Sequence, residues 1–223
     1  MYHIFDVDGT ITLPRKSIEQ QYIPIFEKFC RNNKVILISG STCDMIRQQI
    51  PDSILSLSKL YGCSGIEGLS FDIDSSINDE KLIKRLEAHL QLSIFDQKAG
   101  NHIEHRKGMI NFSIVGRNAS DSQRKLYSEF DQEYQERISI VNDLSNKFPQ
   151  YEFRIGGEIS IDISKKGINK SIIMKEIPLG ETVTFYGNQT KDGNDKPIAD
   201  YIISNNLGKV IQIEYPNTFD LLT

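Results

Sequence analysis

Short apolar runs lie near both ends of the chain, with polar loops after them. They cover residues 2–7, 35–38, 182–186 and 210–213. Runs of this length without alternation are typical of strands that are buried on both faces of a parallel sheet. Such sheets bind ligands in the crevice at the carboxyl ends of their strands, so the loops there are the first place to look for chemistry.

Helical spacing follows the first two runs. Apolar residues at positions 18, 22, 25, 26 and 29 predict a helix behind a Ser17-x-x-Gln20 capping box, with a kink at Pro24. A second helix is predicted to begin at Ser41 and to be stopped by Pro51. The order strand, helix, strand, helix predicts an α/β fold with a doubly wound, Rossmann-type parallel sheet.

The middle of the chain has a different periodicity. Apolar residues at positions 82, 83, 86 and 90 predict one amphipathic helix, and a longer helix is predicted from Ser120 to residue 144. Residues 110–114 and 159–164 alternate between apolar and polar, as strands with one buried face do. The pattern predicts an α+β module at residues 77–166, an antiparallel sheet with helices on one face. This module is inserted into an α/β core made of residues 1–76 and 167–223.

Composition excludes several classes of protein. The 223 residues carry a formal net charge of -4, so no basic field suggests nucleic acid. The three cysteines have neither zinc-site spacing nor a disulfide framework, which favours a reducing cytoplasm. Nowhere do about 18 apolar residues follow one another, so no membrane helix is predicted. We expect a cytoplasmic protein that binds a small molecule.

Two carboxylates lie at the end of the first apolar run. Asp6 and Asp8 are two residues apart and therefore lie on the same side of the chain at a predicted strand tip. One carboxylate can attack a phosphoryl group while the other transfers the proton. Attack between two anions needs a divalent cation, and carboxylates are the hard oxygen ligands that Mg²⁺ takes. The alternative is a solvated Asp-x-Asp-Gly turn without a catalytic role.

The segment Asp6-x-Asp8-Gly9-Thr10 resembles the first motif of the haloacid dehalogenase (HAD) superfamily. The resemblance extends to the eukaryotic-type phosphomannomutases, because residues 4–16, with Arg15 after a proline, are similar to that family's opening. Residues 105–120 resemble its cap-domain signature, and residues 155–162 followed by Asn169-Lys170 continue the match in order. The similarity covers nearly the whole chain.

Polar residues of the inserted module suit a phosphosugar. Ser160 and Asp162 lie on the polar face of a predicted strand, where they can hydrogen-bond sugar hydroxyls. Arginines around the same sheet supply forked donors for phosphate. They are Arg106, Arg117 and Arg124. The alternative is that these arginines are surface residues paired with nearby acids such as Asp121 and Glu129.

The resemblance implies a mechanism and a substrate. Asp6 would form an aspartyl-phosphate, and Asp8 would act as general acid and base. The family interconverts mannose 6-phosphate and mannose 1-phosphate through a hexose bisphosphate, on a route to GDP-mannose, and the arginines would hold the phosphate distal to Asp6. The resemblance also implies substrate binding by Arg15 and a homodimer formed through the cap.

Sites for phosphate and metal are implied as well. Either Ser39 or Ser41 would contact the transferring phosphoryl group, since the superfamily pattern favours Ser39 and the family's Gly-Gly-Ser stretch favours Ser41. Lys170 would offset the phosphoryl charge, unless it is a solvated lysine on a helix face. The implied ligands of the Mg²⁺ cofactor are Asp6, Asp8, Asn188 and Asp195.

Asn188 stands where the family carries an aspartate at the metal site. An asparagine oxygen can ligate Mg²⁺, but the exchange removes one negative charge and weakens the hold on the ion, for which Asp192 or Asp195 can compensate. Two alternatives to the mutase follow. One is a HAD-type sugar-phosphate phosphatase, because water can attack the same aspartyl-phosphate. The other is a phosphosugar-binding homologue that has lost catalysis through Asn188.

Overall fold

The chain folds into two compact units. The computed structural model describes residues 1–222. The core unit consists of Met1–Ile73 together with the described chain from Asn169 onward, and the cap unit consists of Asp74–Ile168. The sequence placed the inserted module at residues 77–166.

Both units combine strands and helices. The strands, in chain order, are β1 (Tyr2–Asp6), β2 (Lys34–Ile38), β3 (Ser58–Tyr61), β4 (Ile103–Arg106), β5 (Met109–Phe112), β6 (Tyr151–Gly156), β7 (Ser160–Lys165), β8 (Val183–Gly187) and β9 (Gly208–Gln212). The α-helices are α1 (Ile23–Asn32), α2 (Cys43–Gln49), α3 (Asp52–Leu55), α4 (Glu80–Leu92), α5 (Asp121–Tyr134), α6 (Glu136–Lys147) and α7 (Lys196–Ser204). Short 3₁₀ segments lie at Cys63–Gly65, Lys170–Glu176 and Asn217–Leu221. Among residues 1–222, no helix has both the length and the apolar composition to cross a bilayer.

The core unit is built on a parallel sheet with the strand order β3-β2-β1-β8-β9. The central strand β1 buries Ile4 and Phe5 completely. Phe5 stacks on Tyr186 of the neighbouring β8, with 4.3 Å between the ring centroids. The four apolar runs of the sequence are therefore confirmed as sheet strands. The short β3 was not predicted, because its Ser and Lys residues interrupt any apolar run.

The cap unit contains an antiparallel sheet with the strand order β4-β5-β7-β6. Ile110 of β5 and Ile163 of β7 are direct register partners and pack in one buried cluster with side chains from α4, α5 and α6. Asn111 and Asp162, the next register pair, lie on the opposite face because side chains alternate along a strand. The predicted α+β fold with one apolar and one polar sheet face is confirmed.

Helix α1 begins later than the sequence predicts. Its first residue is Ile23, and the Ser17 hydroxyl donates instead to the backbone carbonyl of Gln48 at 3.4 Å. Pro24 lies in the first turn of α1, where its missing N–H is not needed and its fixed φ suits a helix. The predicted capping box at Ser17 and the kink at Pro24 are therefore wrong.

Helix α2 is capped by Thr42 and not by Ser41. The Thr42 side chain accepts a hydrogen bond from the Met45 backbone N–H at 3.2 Å. The helix ends at Gln49, before Pro51, as predicted. The Ser41 hydroxyl donates instead to Asp8 at 3.1 Å.

The long helix predicted after Ser120 is two helices. Ser120 and Gln123 form a capping box at the start of α5, where the sequence placed a helix start. Gln135 adopts the left-handed conformation with φ 54°, which ends α5, and α6 begins at the next residue. A left-handed residue cannot continue a right-handed helix. Apolar spacing runs on through the break, so the periodicity alone does not reveal it.

Candidate active site

Three neighbouring strands of the core sheet end at the same edge. Asp6 is the last residue of β1, Ser39 directly follows β2, and Asn188 directly follows β8. Strands β2 and β8 flank β1 in parallel register. Because the carboxyl ends of parallel strands form the ligand crevice of α/β proteins, the topology alone gathers these three predicted residues.

The loop after β1 folds back tightly on Val7. The Val7 carbonyl accepts hydrogen bonds from three successive backbone N–H groups, those of residues 10–12. Gly9 has a φ of +89°, a conformation that glycine adopts without strain. A Cβ built on Gly9 would lie 2.3 Å from Nδ2 of Asn188. The Asn188 side chain is therefore packed directly on the backbone of the Asp-x-Asp loop.

Lys170 is a buried cation at this edge. Its Nζ donates to Oδ1 of Asp6 and to Oδ1 of Asp195, each at 2.6 Å. Lys170 and Asp195 are fully buried, and Asp6 is 4% exposed. The backbone N–H of Gln189 donates to Oδ2 of Asp195 at 3.0 Å and orients that carboxylate. Lys170 is therefore not solvated, and it is Asp195 and not the exposed Asp192 that joins Asp6.

Burial and neighbouring charges act in opposite directions on the Asp6 carboxyl. Burial raises its pKa, the Lys170 ammonium lowers it, and Asp195 and Asp8 raise it again, with a net rise above the ordinary value. Burial disfavours the charge on Lys170, but the carboxylates of Asp195 and Asp6 outweigh this and raise the pKa of Lys170. The ammonium is therefore charged, and it is shared between two carboxylates that it cannot fully neutralise.

Asp8 is held by three donors from two loops. Its Oδ2 accepts hydrogen bonds from the hydroxyls of Ser39 at 3.0 Å and Ser41 at 3.1 Å. Its Oδ1 accepts a hydrogen bond from the backbone N–H of Arg15 at 2.9 Å. Both candidate serines thus converge on Asp8, and Arg15 contributes its main chain to the same carboxylate.

The charge and donor chemistry of the core edge fit a divalent cation. With Asp6, Asp8 and Asp195 all ionised, their three negative charges exceed the single positive charge of Lys170 by two. Carboxylate and amide oxygens are hard ligands of the kind that Mg²⁺ takes. Within residues 1–222, no three His, Cys, Asp or Glu side chains are grouped as a metal site. A cation at this edge would therefore need further oxygen ligands, such as the Asn188 amide.

Two of the predicted arginines meet at one acid on the cap unit. Arg106 Nε donates to Oε2 of Glu104 at 3.0 Å, and Arg117 Nε lies 3.2 Å from the same oxygen. Arg117 also donates through Nη1 to the Ser160 hydroxyl at 3.2 Å. The structure therefore brings Arg106, Arg117 and Ser160 together, with two guanidinium groups sharing one carboxylate.

Arg124 and Asp162 have other partners. Arg124 Nη2 donates to Oε2 of Glu158 at 3.3 Å, and Asp162 Oδ1 accepts a hydrogen bond from Asn111 Nδ2 at 2.7 Å. The side chains of Arg106, Arg117 and Arg124 are 3%, 10% and 9% exposed. The three arginine side chains are therefore largely buried, and they pair with Glu104 and Glu158.

Some contributors to these sites were missed by sequence reasoning. The Thr10 hydroxyl donates to Oδ2 of Asp6 at 3.3 Å, and its presence in the Asp-x-Asp-Gly-Thr motif was a signal for it. Asn111 also had a signal, its polar position between Ile110 and Phe112. No signal in the sequence indicated Glu104, because β4 shows no apolar periodicity.

Relatives of the chain are named for one activity. A family model described as eukaryotic phosphomannomutase matches residues 69–212. A probable phosphomannomutase of Caenorhabditis elegans is 33% identical over 217 residues, which cover 87% of this chain and 84% of the relative. A phosphomannomutase of Babesia bovis is 31% identical over 208 residues, 86% of this chain and 85% of the relative.

Likeness to solved structures concerns the fold alone. The C-terminal domain of trehalose-6-phosphate phosphatase from C. albicans superposes with a TM-score of 0.60 at 15% identity, over 92% of this chain and 74% of that chain. The fold is HAD-like, a Rossmann-type parallel-sheet core with an inserted α+β cap, as predicted. HAD-type phosphotransferases generally use a divalent metal. Both the motifs and the matched relatives lead to one conclusion: the chain belongs to the eukaryotic phosphomannomutase family.

Proposed function

We propose that this chain is a phosphomannomutase, an isomerase that interconverts mannose 6-phosphate and mannose 1-phosphate through an aspartyl-phosphate and a hexose bisphosphate. The observation that carries the proposal is the buried Asp6 at the tip of the central strand, 2.6 Å from Lys170 and in the same loop as Asp8. Family membership and the names of the relatives support the substrate.

Asp6 is the nucleophile of the proposed reaction. Its Oδ1 is held by Lys170 at 2.6 Å, whereas Oδ2 accepts a longer hydrogen bond of 3.3 Å from Thr10. We assign the attack on phosphorus to Oδ2 because it is the less tightly held oxygen. The bond between phosphorus and the sugar oxygen breaks, and the phosphoryl group becomes an acyl phosphate on Asp6. Lys170 offsets the negative charge of the group in transfer.

Asp8 is the general acid and base. It gives a proton to the departing sugar oxygen and takes one from the hydroxyl that attacks the aspartyl-phosphate. The hydroxyls of Ser39 and Ser41 and the backbone N–H of Arg15 hold its carboxylate in a defined orientation. Ser39 and Ser41 are both retained as candidates for contact with the transferring phosphoryl group.

Mg²⁺ is the proposed cofactor. The residues that would hold it are Asp6, Asp8, Asn188 and Asp195. The two unbalanced negative charges at this edge support a divalent ion in preference to a monovalent one. When bound, the ion would reduce the repulsion between the carboxylate nucleophile and the phosphoryl group.

The cap unit supplies the proposed sugar and phosphate recognition. Arg106 and Arg117 bring two guanidinium groups to Glu104, and these forked donors, with Arg124, support phosphate binding by the cap unit. Arg15 of the core unit is also proposed as a substrate-binding residue. Ser160 and Asp162 lie on the polar face of β7 and are assigned to sugar hydroxyls. Residues 77–166 are thus proposed as the substrate-binding domain.

The direct test is phosphorus NMR of mannose 1-phosphate incubated with the protein, Mg²⁺ and a catalytic amount of hexose bisphosphate. The expected product is mannose 6-phosphate, and Asp6→Asn is expected to abolish turnover because an amide cannot form the acyl phosphate. The spectrum resolves both sugar phosphates and inorganic phosphate, so it separates isomerisation from hydrolysis. Asp192→Asn, which alters an exposed acid of the loop after β8, is the matched control and should keep wild-type turnover.

Two other outcomes would support a different function from the proposed mutase. Release of inorganic phosphate without mannose 6-phosphate would identify a sugar-phosphate phosphatase that uses the same aspartyl-phosphate. Binding of mannose 1-phosphate with no turnover at any Mg²⁺ concentration would identify a phosphosugar-binding homologue weakened by Asn188.

We further propose that the chain is a homodimer paired through the cap unit. Leu92, Ile94 and Tyr134 are 73%, 75% and 55% exposed around a cavity of about 270 Å³, an apolar surface that supports this. Sedimentation should give a dimer for wild type and a monomer for Ile94→Glu. Leu179→Glu, a change at a fully exposed leucine of the core unit, should remain dimeric.

A cytoplasmic location and a role in the supply of GDP-mannose complete the proposal. The cysteines of residues 1–222, Cys30, Cys43 and Cys63, are free thiols, which is the usual state in a reducing compartment. Fluorescence microscopy of a tagged full-length chain tests the location, and loss of GDP-mannose on depletion of the protein tests the pathway.

A further inference from the structure

Asp162 lies in the middle of the polar face of the cap sheet. Its register partner on β5 is Asn111, and its register partner on β6 is Arg154. A charged side chain in the centre of a sheet has neighbours on both sides, so its carboxylate can be held from two directions. One oxygen of Asp162 accepts a hydrogen bond from a neighbouring strand, and the other lies in space that the opposite strand leaves open.

The first oxygen is held by an amide. Asn111 Nδ2 donates to Oδ1 of Asp162 at 2.7 Å, and Asn111 itself is only 3% exposed. Within residues 1–222 the Oδ1 of Asn111 is buried and receives no hydrogen bond. The Asn111 amide therefore donates a hydrogen bond to Asp162, while its own oxygen is buried without a donor.

The second oxygen occupies space that is open because residue 156 is a glycine. A Cβ built on Gly156, near the end of β6, would lie 2.6 Å from Oδ2 of Asp162. Any residue other than glycine at this position would push the carboxylate away from its present orientation. The absence of a Cβ at Gly156 is thus a packing requirement of Asp162.

We propose that Asn111 and Gly156 are positioning residues that orient the Asp162 carboxylate for recognition of a sugar hydroxyl. The inference rests on the proposed function and assigns a role to two residues that the predicted sugar and phosphate ligands do not include. A carboxylate that Asn111 orients through one oxygen, with space for the other oxygen beside Gly156, can accept a hydrogen bond from a hydroxyl at one ring position, and a deoxy analogue would lack that bond. Sites built to hydrogen-bond a hydroxyl discriminate strongly against analogues that lack it.

The test compares mannose 1-phosphate with its 2-, 3- and 4-deoxy analogues, both as substrates and as ligands in calorimetry. Wild type should disfavour one of the analogues by at least about 100-fold. Asn111→Leu removes the amide donor at similar volume, and Gly156→Ala displaces the carboxylate from the other side. Each should reduce that preference at least about 10-fold, chiefly through KM and Kd for the parent sugar, with kcat little changed.

Ser164→Ala is the matched control. Ser164 is two residues from Asp162 on β7 and donates to the carbonyl of Ile168 at 2.6 Å, so its loss disturbs the same strand without touching Asp162. This variant should retain the wild-type preference among the analogues. Urea denaturation of each variant separates misfolding from loss of recognition, because a merely structural residue would change stability and leave the preference unaltered.

If folded Asn111→Leu and Gly156→Ala both retain the wild-type preference for the parent sugar over the deoxy analogue, the inference is overturned. The proposed mutase function would not be affected by that result. If wild type hydrolyses or only binds the sugar phosphate, the same ratios of KM or Kd still decide the inference, while the proposed function fails. A wild type that binds the parent sugar and all three analogues equally would also overturn it.

Discussion

The substitution Lys170→Met tests the buried charge cluster of the core unit. Lys170 is fully buried and lies 2.6 Å from the carboxylates of both Asp6 and Asp195. At that separation and an effective dielectric constant of about 20, each contact contributes about 6 kcal/mol of attraction. Desolvation of the three groups offsets much of this. Removal of one partner from a buried ion pair costs about 3–5 kcal/mol, and we expect that loss in the free energy of unfolding.

The assay is urea denaturation followed by circular dichroism, at pH 7.5 and without divalent cations. Lys196→Met is the matched control, because Lys196 is 43% exposed and pairs with Asp200 at 2.8 Å on the surface of α7. An exposed pair one helical turn apart contributes about 0.3–0.5 kcal/mol, so this variant should unfold almost as wild type does.

Two results would refute the view that Lys170 stabilises the fold by pairing with buried carboxylates. One is an equal loss of unfolding free energy in Lys170→Met and Lys196→Met, and the other is a loss below about 1 kcal/mol for Lys170→Met. The double variant Lys170→Met, Asp195→Asn should recover part of the lost stability, because only one of the two carboxylates that paired with Lys170 then remains. If Lys170→Met does not fold, the comparison of this double variant with Asp195→Asn measures the contribution of Lys170 to the remaining pair with Asp6.

Three further predictions concern local structure. Gly9→Ala should lower the free energy of unfolding by about 1–3 kcal/mol, measured by urea denaturation, because φ is +89° and the new Cβ would meet Asn188. Gln135→Gly should raise it by about 0.5 kcal/mol, because the relief of left-handed strain exceeds the entropy lost by glycine. Hydrogen bonds from Arg85 hold the pKa of the Asp143 carboxyl well below its usual range. The stability that Asp143 contributes is therefore present above its unfolded pKa of about 4 and is lost at lower pH. Asp143→Asn should lower the urea midpoint at pH 7, and its difference from wild type should shrink steadily below pH 4.

Residues near one another in the chain were the predictable part of the site. Asp6, Asp8 and Thr10 belong to one loop, and the apolar run before them places that loop at a strand tip. The order of the strands was not predicted from the sequence. In the structure β2 and β8 flank β1, which brings Ser39 and Asn188 to the same edge. The local pattern thus sufficed for the loop after β1, and the strand order was needed for the rest.

Contacts between distant residues could not be read in the same way. The sequence placed Lys170 near a phosphoryl group, but its pairing with Asp195 depends on the packing of a 3₁₀ segment against the loop after β8. Glu104 lies 13 residues from Arg117 and belongs to a strand without periodicity, so nothing marked it as a shared partner of two arginines. The break between α5 and α6 at Gln135 was not predicted, because helix periodicity indicates which face is buried and not where a single φ changes sign.

The proposed Mg²⁺ site leads to a prediction for Asn188. With the carboxyl groups of Asp6, Asp8 and Asp195 ionised and Lys170 charged, the two negative charges in excess would be matched by one divalent ion. Asn188→Asp adds a third unbalanced charge, so it should lower the Mg²⁺ concentration for half-maximal activity. The same charge remains after Mg²⁺ is bound and repels an incoming phosphate, so kcat/KM at saturating Mg²⁺ should fall. A titration of turnover against Mg²⁺ measures both quantities. If Asn188→Asp leaves the Mg²⁺ dependence unchanged, Asn188 is not a ligand, and if it raises kcat/KM, the charge-balance argument is wrong.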